Sequence, residues 1–305
     1  MKDFRPVTLE DKQKLDGFFK KAQYENSELC FGNMFLWADS WDIRYHIDGD
    51  ILLFTGVGRN GQRFFFTPVI KRPEIICDAV CMMQEYSREN HFPFLIKVVP
   101  ESVKDTLLDH CSKPQVWRIE EDRDNFDYVY LSRDLIELKG SRYHAKRNHI
   151  NRLTLRHDYQ FKMLTDELVQ PCLENYMQWY ERHIAGDPTL EFEKSAVFKG
   201  LEHWKELGFI GGAILINDRV EAFTLGEQLT EDMAVIHIEK ANTDIQGLYP
   251  LINQQFAQYA LAHLTYINRE EDMGIPGLRR SKKSYYPVRM IKKYNVTRRE
   301  GMDGN

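Results

Sequence analysis

The sequence lacks a long apolar run. No stretch among its 305 residues approaches the roughly 18 apolar residues that a membrane-spanning helix needs. The longest run, residues 209–216, contains two glycines and ends at Asn217-Asp218, a pattern that favours a strand followed by a turn. The first residues, MKDFRPVTLEDKQK, have no apolar core of the kind found in signal peptides. We therefore expect a soluble, cytoplasmic protein.

Cysteine is also scarce. The five cysteines are too few and too irregularly spaced for a disulfide framework. Cys77 and Cys81 would share one helix face, but two further ligands at zinc spacing are missing, so we expect reduced core thiols and no metal site. The His-Glu-x-x-His, Gly-x-Ser-x-Gly and Walker lysine motifs are absent as well, which argues against the enzyme classes that they mark.

One glycine-rich segment has the letters of a dinucleotide-binding motif. Residues 56–61 (GVGRNG) match it literally, but the next residues, 62–66 (QRFFF), have a strand pattern. A pyrophosphate site needs a helix to begin there, because the amides at a helix N-terminus bind the phosphate. We interpret the segment as a hairpin turn.

What the chain does contain is enough apolar material for two cores. Hydrophobic residues make up 43% of the sequence, and 305 residues favour two domains over one. The net charge of −5 is modest, but the segments 139–157 and 279–299 hold 15 of the 41 Lys and Arg residues and no acid. An acidic body with two basic segments suits a polyanion such as tRNA, and two solvated basic faces remain the alternative.

Both halves of the chain show the same order of predicted elements. Each begins with two helices and continues with three strands separated by short turns, then a helix, a strand, a short helix and a strand. The three-strand segments are 43–70 and 210–240, and turn sequences such as Asp48-Gly49 and Asn217-Asp218 separate their strands. This repeat predicts a mixed α/β (α+β) chain with two similar domains, residues 1–138 and 139–305.

The order of elements resembles that of the GNAT acyltransferase fold, and this resemblance implies that the junction after the last strand of the second meander faces the active site. In coenzyme A enzymes of that fold, backbone amides at this junction hold the pyrophosphate. Gly247 permits one close backbone approach, but Asp244 would repel the phosphates and Tyr249 would crowd them. Coenzyme A is therefore the less favoured donor.

Polar residues collect where such a site would lie. Glu239 and Asn242 end the third meander strand, and an exposed Glu–Lys pair is the alternative for 239–240. The loop 268–274 is rich in charge and leads directly into a basic block with two tyrosines, which suits phosphate and a ring or a sugar. Lys146 and Arg147 lie in a predicted helix at the domain junction. For each of these segments a solvated surface is the alternative.

Four segments together resemble a known family. They are 26–37 (NSELCFGNMFLW), 127–138 (DYVYLSRDLIEL), 140–153 (GSRYHAKRNHINRL) and 267–287 (INREEDMGIPGLRRSKKSYYP). The chain is similar over nearly its whole length to the phosphatidylglycerol lysyltransferase C-terminal domain family, which has a tandem GNAT-like fold and is related to the Fem-type peptidyltransferases. The large membrane domain of the lysyltransferases has no counterpart in this sequence.

The resemblance implies an acyltransferase that moves an aminoacyl group from aminoacyl-tRNA to an amine or hydroxyl acceptor, either a small molecule or a lipid headgroup, with no bound cofactor. Its site would lie in the C-terminal domain. The catalytic candidates are Glu239, Glu270, Lys283 and Tyr285. The substrate-binding candidates are Asn242, Gly247, Arg269, Asp272, Lys146, Arg147, Arg279 and Lys282. Two other functions remain open: a coenzyme A-dependent N-acetyltransferase and a non-catalytic ligand-binding protein on the same fold.

Overall fold

The structure is a computed structural model that describes residues 3–111, 114–187 and 190–299. The chain forms two compact units. The first combines the chain up to Asp127 with Glu271–Pro276 and the segment from Met290 onward, and the second contains Tyr128–Glu270 and Gly277–Arg289. The division differs from the expected domains 1–138 and 139–305, because residues 128–138 belong to the second unit and the last segment returns to the first.

The part of the chain before residue 127 forms four helices and seven strands within the described residues. The helices are α1 (Lys12–Ala22), α2 (Phe31–Leu36), α3 (Ile76–Glu89) and α4 (Glu101–His110). The strands are β1 (Arg5–Pro6), β2 (Arg44–Asp48), β3 (Ile51–Val57), β4 (Arg63–Phe66), β5 (Val69–Ile70), β6 (Leu95–Pro100) and β7 (Trp117–Glu121).

The rest of the described chain forms seven helices and eight strands. The helices are α5 (Ser132–Glu137), α6 (His144–Thr154), α7 (Asp166–His183), α8 (Leu190–Glu202), α9 (Trp204–Leu207), α10 (Leu248–Tyr259) and α11 (Pro276–Lys283). The strands are β8 (Asp127–Leu131), β9 (Tyr159–Met163), β10 (Ile210–Ile216), β11 (Arg219–Gln228), β12 (Met233–Ala241), β13 (Tyr266–Asn268), β14 (Arg289–Ile291) and β15 (Lys293–Arg298).

The strands form two sheets with the same internal order. The first runs β1-β2-β3-β4-β6-β15-β7, with β5 paired to β3, and the second runs β9-β10-β11-β12-β13-β8-β14. Each contains an antiparallel meander, β2-β3-β4 or β10-β11-β12. Each meander is followed by a parallel strand, because β4 pairs with β6 and β12 pairs with β13. The predicted topological repeat and the mixed α/β class are therefore present.

Each half of the chain contributes one strand to the sheet formed mainly by the other half. The expected domains 1–138 and 139–305 place β8 in the first half and β14 and β15 in the second. Instead β8 pairs with β13 in the second sheet and β15 lies between β6 and β7 in the first, whereas β14 lies in the second sheet as expected. Strand patterns in a sequence report which residues are extended and do not report the partner, so this exchange was not predictable from them.

Local sequence signals determine where several helices begin and end. Thr8 and Asp11 form a capping box, which satisfies amides before α1 begins. Leu15, Phe18 and Phe19 form the buried face of α1. Gly208 ends α9 with a φ of 71°, a left-handed conformation that glycine adopts without steric cost.

The cysteines differ from the prediction of reduced core thiols. Cys77 on α3 forms a disulfide with Cys111, at the end of α4. Cys81 is exposed, and Cys30 and Cys172 are buried free thiols. The cross-link joins positions 34 residues apart. No spacing rule connects them, which is why the pairing was not predicted.

A buried charged cluster lies in the first unit. Lys293 on β15 has no solvent exposure, and its Nζ lies 2.7 Å from Asp127 Oδ1 and 2.6 Å from Glu28 Oε1. Ser27 donates its backbone N–H and its hydroxyl to Asp127. Lys293 therefore belongs to the interior, although the sequence placed it in a basic surface segment.

None of the helices formed by the described residues combines the length and the apolar character that crossing a bilayer requires.

Candidate functional site

The site candidates of the second unit centre on β12. Successive residues of a strand point to opposite faces, so Glu239 and Lys240 diverge. Lys240 pairs with Glu193 of α8 at 2.6 Å. Glu239 pairs with Arg269 Nη2 at 2.8 Å and accepts a hydrogen bond from Asn253 of α10 at 3.0 Å. Both side chains are largely buried, so the alternative of an exposed Glu–Lys pair does not describe them.

Arg269 follows β13 and is the cation of this site. Its side chain is 13% exposed and that of Glu239 is 11% exposed. The guanidinium carbon lies 4.7 Å from the centre of the Tyr285 ring and 5.7 Å from that of Tyr130. Burial disfavours the charge, but Glu239 outweighs that effect, and the pKa of Arg269 is raised. Its Nη1 is buried and has no hydrogen-bond partner among the described residues. The site thus contains a charged donor with a vacant N–H.

Lys146 of α6 places a second amine beside this pair. Its Nζ lies 3.9 Å from the centre of the Tyr285 ring, and its side chain is half-buried. Burial, with the nearby charge of Arg269, lowers the pKa of Lys146 to about 8, although Glu239 acts in the opposite direction. Lysine at this pKa is partly neutral near physiological pH and can accept a proton.

Backbone contacts fix Tyr285 and the loop that carries Arg269. Tyr143 donates its hydroxyl to the carbonyl of Tyr285 at 2.9 Å, and Tyr130 donates to the carbonyl of Lys282 at 2.8 Å. Lys282 Nζ donates to the carbonyl of Arg269, so Lys282 positions Arg269. Burial raises the pKa of Tyr285, so its hydroxyl stays protonated and can act only as a neutral donor or acceptor.

Glu270 belongs to a histidine cluster next to Arg269. His237 lies two residues before Glu239 at a bulge of β12, where the regular alternation of side chains is interrupted. Its Nδ1 lies 2.8 Å from Glu270 Oε1, and its Nε2 lies 3.0 Å from Glu227 Oε1. The imidazole is 1% exposed. Because both ring nitrogens are engaged, this cluster orders the end of β13 next to Arg269.

The junction between β12 and α10 is closed by packing. Gly247 is the N-cap of α10 with a φ of 100°. A Cβ atom at this position would overlap the carbonyl oxygen of His149 on α6. Asp244 pairs with Arg182 at 2.6 Å, and burial raises the pKa of Tyr249 to about 12. The backbone that would hold a pyrophosphate in a coenzyme A enzyme therefore packs against α6.

The other candidate residues have different surroundings. Asn242 donates to Glu221 at 2.8 Å and accepts from Arg182 at 3.3 Å. Arg147 donates to the carbonyls of Leu138 and Gly140, which ties down the segment before α6. Asp272 belongs to the first unit, where it pairs with Arg123 at 3.3 Å. Arg279 is half-buried and Lys283 is exposed on α11.

The structure thus connects four predicted residues through successive contacts and adds others that the sequence interpretation missed. The four are Glu239, Arg269, Tyr285 and Lys146. The missed ones are Tyr130, Asn253, His237 and Glu227. His237 lies at a bulge of β12, so strand alternation in the sequence does not report its face. For all four missed residues the contact depends on tertiary folding.

One comparison with known proteins identifies a family, and two solved structures share the fold. The family described as phosphatidylglycerol lysyltransferase, C-terminal, matches residues 19–297. A conserved protein of unknown function from Bacteroides thetaiotaomicron is 31% identical, with a TM-score of 0.91 over 98% of this chain and 100% of that one. The structure of L-PGS from Bacillus licheniformis is 14% identical, with a TM-score of 0.67 over 95% and 92% of the two chains.

A curated relative is an uncharacterized protein of Mycoplasmoides gallisepticum. It is 26% identical over 188 residues, which cover 61% of this chain. The match spans 59% of the length of that relative.

Proposed function

Because the chain belongs to the family of phosphatidylglycerol lysyltransferase C-terminal domains, we propose that it transfers an aminoacyl group from aminoacyl-tRNA to an amine or hydroxyl acceptor. The predicted family and the tandem GNAT-like fold of the mixed α/β class are confirmed. The reaction, the donor and the acceptor form the proposal, which the site of the second unit supports.

The observation that carries the proposal is the buried guanidinium of Arg269. It is ionised, it is neutralised on one side by Glu239, and its Nη1 has no partner among the described residues. An ester carbonyl that is attacked by a nucleophile develops negative charge on its oxygen. A fixed charged donor in a site of low dielectric is the type of group that stabilises such an oxyanion.

The proposed reaction uses the charged guanidinium of Arg269 and the amine of Lys146. The acceptor nitrogen or oxygen attacks the carbonyl carbon of the aminoacyl ester, and Arg269 Nη1 donates to the oxyanion. The neutral amine of Lys146 takes the proton from the acceptor. When the tetrahedral intermediate collapses, the bond to the ribose oxygen of the tRNA breaks and Lys146 returns the proton to that oxygen. The products are the aminoacylated acceptor and free tRNA.

Glu239, a catalytic candidate in the sequence, does not act as the base in this scheme. One carboxylate oxygen of Glu239 is engaged by Arg269, and Asn253 donates to the other. Glu239 therefore keeps Arg269 oriented. Glu270 similarly orders the backbone next to Arg269 through His237. Both act as positioning residues in this scheme.

The direct experiment follows labelled amino acid from donor to acceptor. Purified protein is mixed with tRNA carrying a radiolabelled amino acid, and the acceptors include small amines, polyols and phosphatidylglycerol vesicles. We expect faster loss of label from tRNA and a labelled product with one acceptor class. Label that leaves tRNA only at the rate of spontaneous hydrolysis with every amino acid and acceptor would contradict the proposal.

The pH dependence of the same reaction tests the role of Lys146. With its pKa lowered to about 8, the neutral base fraction increases as the pH rises through 8. The rate should therefore rise over the same interval. Lys146→Arg keeps the charge but cannot lose its proton, so it should lower the rate at all pH values below 9. A wild-type profile that is flat between pH 6 and 9 would remove Lys146 as the base.

The two alternative functions make different predictions for this assay. A coenzyme A-dependent acetyltransferase would acetylate the same acceptors from acetyl-CoA, but the packed junction around Gly247 disfavours it. A non-catalytic binding protein would hold the acceptor without moving label from any donor.

A further inference from the structure

A cleft in the first unit is lined by polar groups that the proposed transfer does not use. Its volume is about 480 Å³. It lies beside the start of β2 and the turn between β3 and β4. Its lining includes Arg44, Arg63, Gln62 and Asn90 together with the rings of Phe4 and Tyr86. Sites for small molecules have volumes of about 300–1,000 Å³, so this cleft is large enough for one.

The cleft carries an excess of positive charge. Arg44 Nε lies 2.9 Å from Asp42 Oδ1, and Arg63 Nη2 lies 3.0 Å from Asp42 Oδ2. One carboxylate therefore serves two guanidiniums, and no acid is among the lining residues. Arg63 also donates to Thr55 at 3.3 Å, which fixes it to the sheet.

Arg44 is the group that remains available to a ligand. It lies opposite Thr55 across the β2–β3 pair, and its only bond to a side chain of the described chain uses Nε. Its side chain is 41% exposed. Its two terminal nitrogens therefore remain for two oxygens of one anion, the bidentate geometry that arginine forms with phosphate and carboxylate.

Part of the lining, the aromatic wall, consists of Phe4, Tyr86 and Phe92. The rings of Phe4 and Tyr86 have their centroids 4.4 Å apart, and those of Tyr86 and Phe92 are 6.0 Å apart. Asn90 donates its Nδ2 to the carbonyl of Tyr86, which leaves its amide oxygen as an acceptor. A planar ring with a donor at its edge matches this wall, because aromatic side chains stack on flat rings.

We propose that this cleft binds a small phosphorylated compound with a planar ring, of the size of a nucleoside monophosphate. Arg44 and Arg63 hold the phosphate, and the ring packs on the Phe4–Tyr86–Phe92 wall. The glycine-rich turn at 56–61 contributes Gly61 to the lining. No helix begins there, so the phosphate is held by side chains. The binding is separate from the proposed acyl transfer, and neither depends on the other.

Titration calorimetry with adenosine 5′-monophosphate on the full chain tests the proposal. Adenosine and inorganic phosphate are the matched half-ligands. We expect saturable binding of the nucleotide and at least tenfold weaker binding of each half. Arg44→Ala should weaken nucleotide binding at least tenfold. The control, Arg72→Ala, removes an exposed arginine that also pairs with an aspartate of this unit, and it should change the affinity less than twofold.

Three results would overturn the inference. They are the absence of saturable nucleotide binding at low salt, equal affinities for wild type and Arg44→Ala, and phosphate that binds as tightly as the nucleotide. The last would mean that the aromatic wall contributes nothing. Circular dichroism of the Arg44→Ala protein, expected to match wild type, confirms that lost binding reflects the removed guanidinium.

Discussion

The buried ion cluster of the first unit gives a prediction of protein stability. Lys293→Met removes the cation from a site in which Lys293 and Asp127 have no solvent exposure and Glu28 is largely buried. Asp127 then remains in the interior without a counter-charge. Removing one partner of a buried ion pair costs about 3–5 kcal/mol. Urea unfolding should therefore show a loss of about 3–5 kcal/mol in the free energy of unfolding.

The adjacent residue provides the control. Lys292 is 49% exposed and lies 3.9 Å from Glu101. Exposed ion pairs contribute about 0–1 kcal/mol, so Lys292→Met should change the free energy of unfolding by no more than that. Equal losses for the two variants would refute the reasoning, because they differ mainly in burial.

The pH dependence of wild-type stability tests the same cluster from the acid side. One lysine cannot neutralise several carboxylates, and burial raises the pKa of Glu28 to about 8, against the lowering effect of Lys293. The folded protein then binds a proton that the unfolded chain releases near pH 4.5. This contribution is fully present below pH 4.5 and is lost as the pH rises through 8. Glu28→Gln should remove that slope, and an unchanged slope would contradict it.

Three other predictions concern the second unit. Gly247→Ala should destabilise the protein by about 1–3 kcal/mol, because alanine is strained at a φ of 100° and its Cβ would overlap His149. The control, Gly277→Ala, places its Cβ in open space, so it should leave the free energy of unfolding unchanged when both variants are unfolded in urea. Calorimetry with acetyl-CoA at about 1 mM, a weak-binding concentration, should show no saturable heat, and micromolar binding would favour the acetyltransferase. Lys283→Glu on α11 should weaken binding of bulk tRNA in a salt-dependent manner, because each neutralised phosphate releases counterions. Lys14→Glu on α1 is the matched charge reversal, and equal affinities for the two variants would remove α11 from the tRNA surface.

Local sequence patterns predicted most elements of the fold. The segments 43–70 and 210–240 were each predicted as three strands, and they contain the meanders β2-β3-β4 and β10-β11-β12. The alternation of apolar and polar side chains and the capping residues determine such elements, because both act between residues only a few positions apart. The short elements β7 (Trp117–Glu121) and α5 (Ser132–Glu137) were missed, because so few residues carry too little periodicity.

Long-range pairing could not be predicted in the same way. The positions of β8 and β15 depend on which sheet edge is open after folding. The disulfide between Cys77 and Cys111 depends on the packing of α3 against α4. The burial of Lys293 has the same origin, because the sequence around it is basic throughout and only the fold supplies Asp127 and Glu28 as partners.

The contacts within the candidate site could not be predicted from the sequence either. Residue type and position drew attention to Glu239, Arg269, Tyr285 and Lys146, which do lie together in the second unit. Their roles depend on distances: Glu239 pairs with Arg269, and Lys146 approaches Tyr285. A charge pattern identifies candidates for a site, and pairing then decides which of them remain available to a substrate.

The central claim is that Arg269 stabilises the oxyanion of an aminoacyl transfer, and single-turnover transfer of labelled amino acid from tRNA tests it most directly. Arg269→Lys keeps a positive charge next to Glu239 but removes the second donor. Loss of one oxyanion donor costs about 10²–10³ in rate. We therefore expect transfer by wild type and a rate 100- to 1,000-fold lower in a folded Arg269→Lys protein, with the acceptor KM nearly unchanged. Equal rates for the two proteins, or no transfer by wild type, would contradict the account.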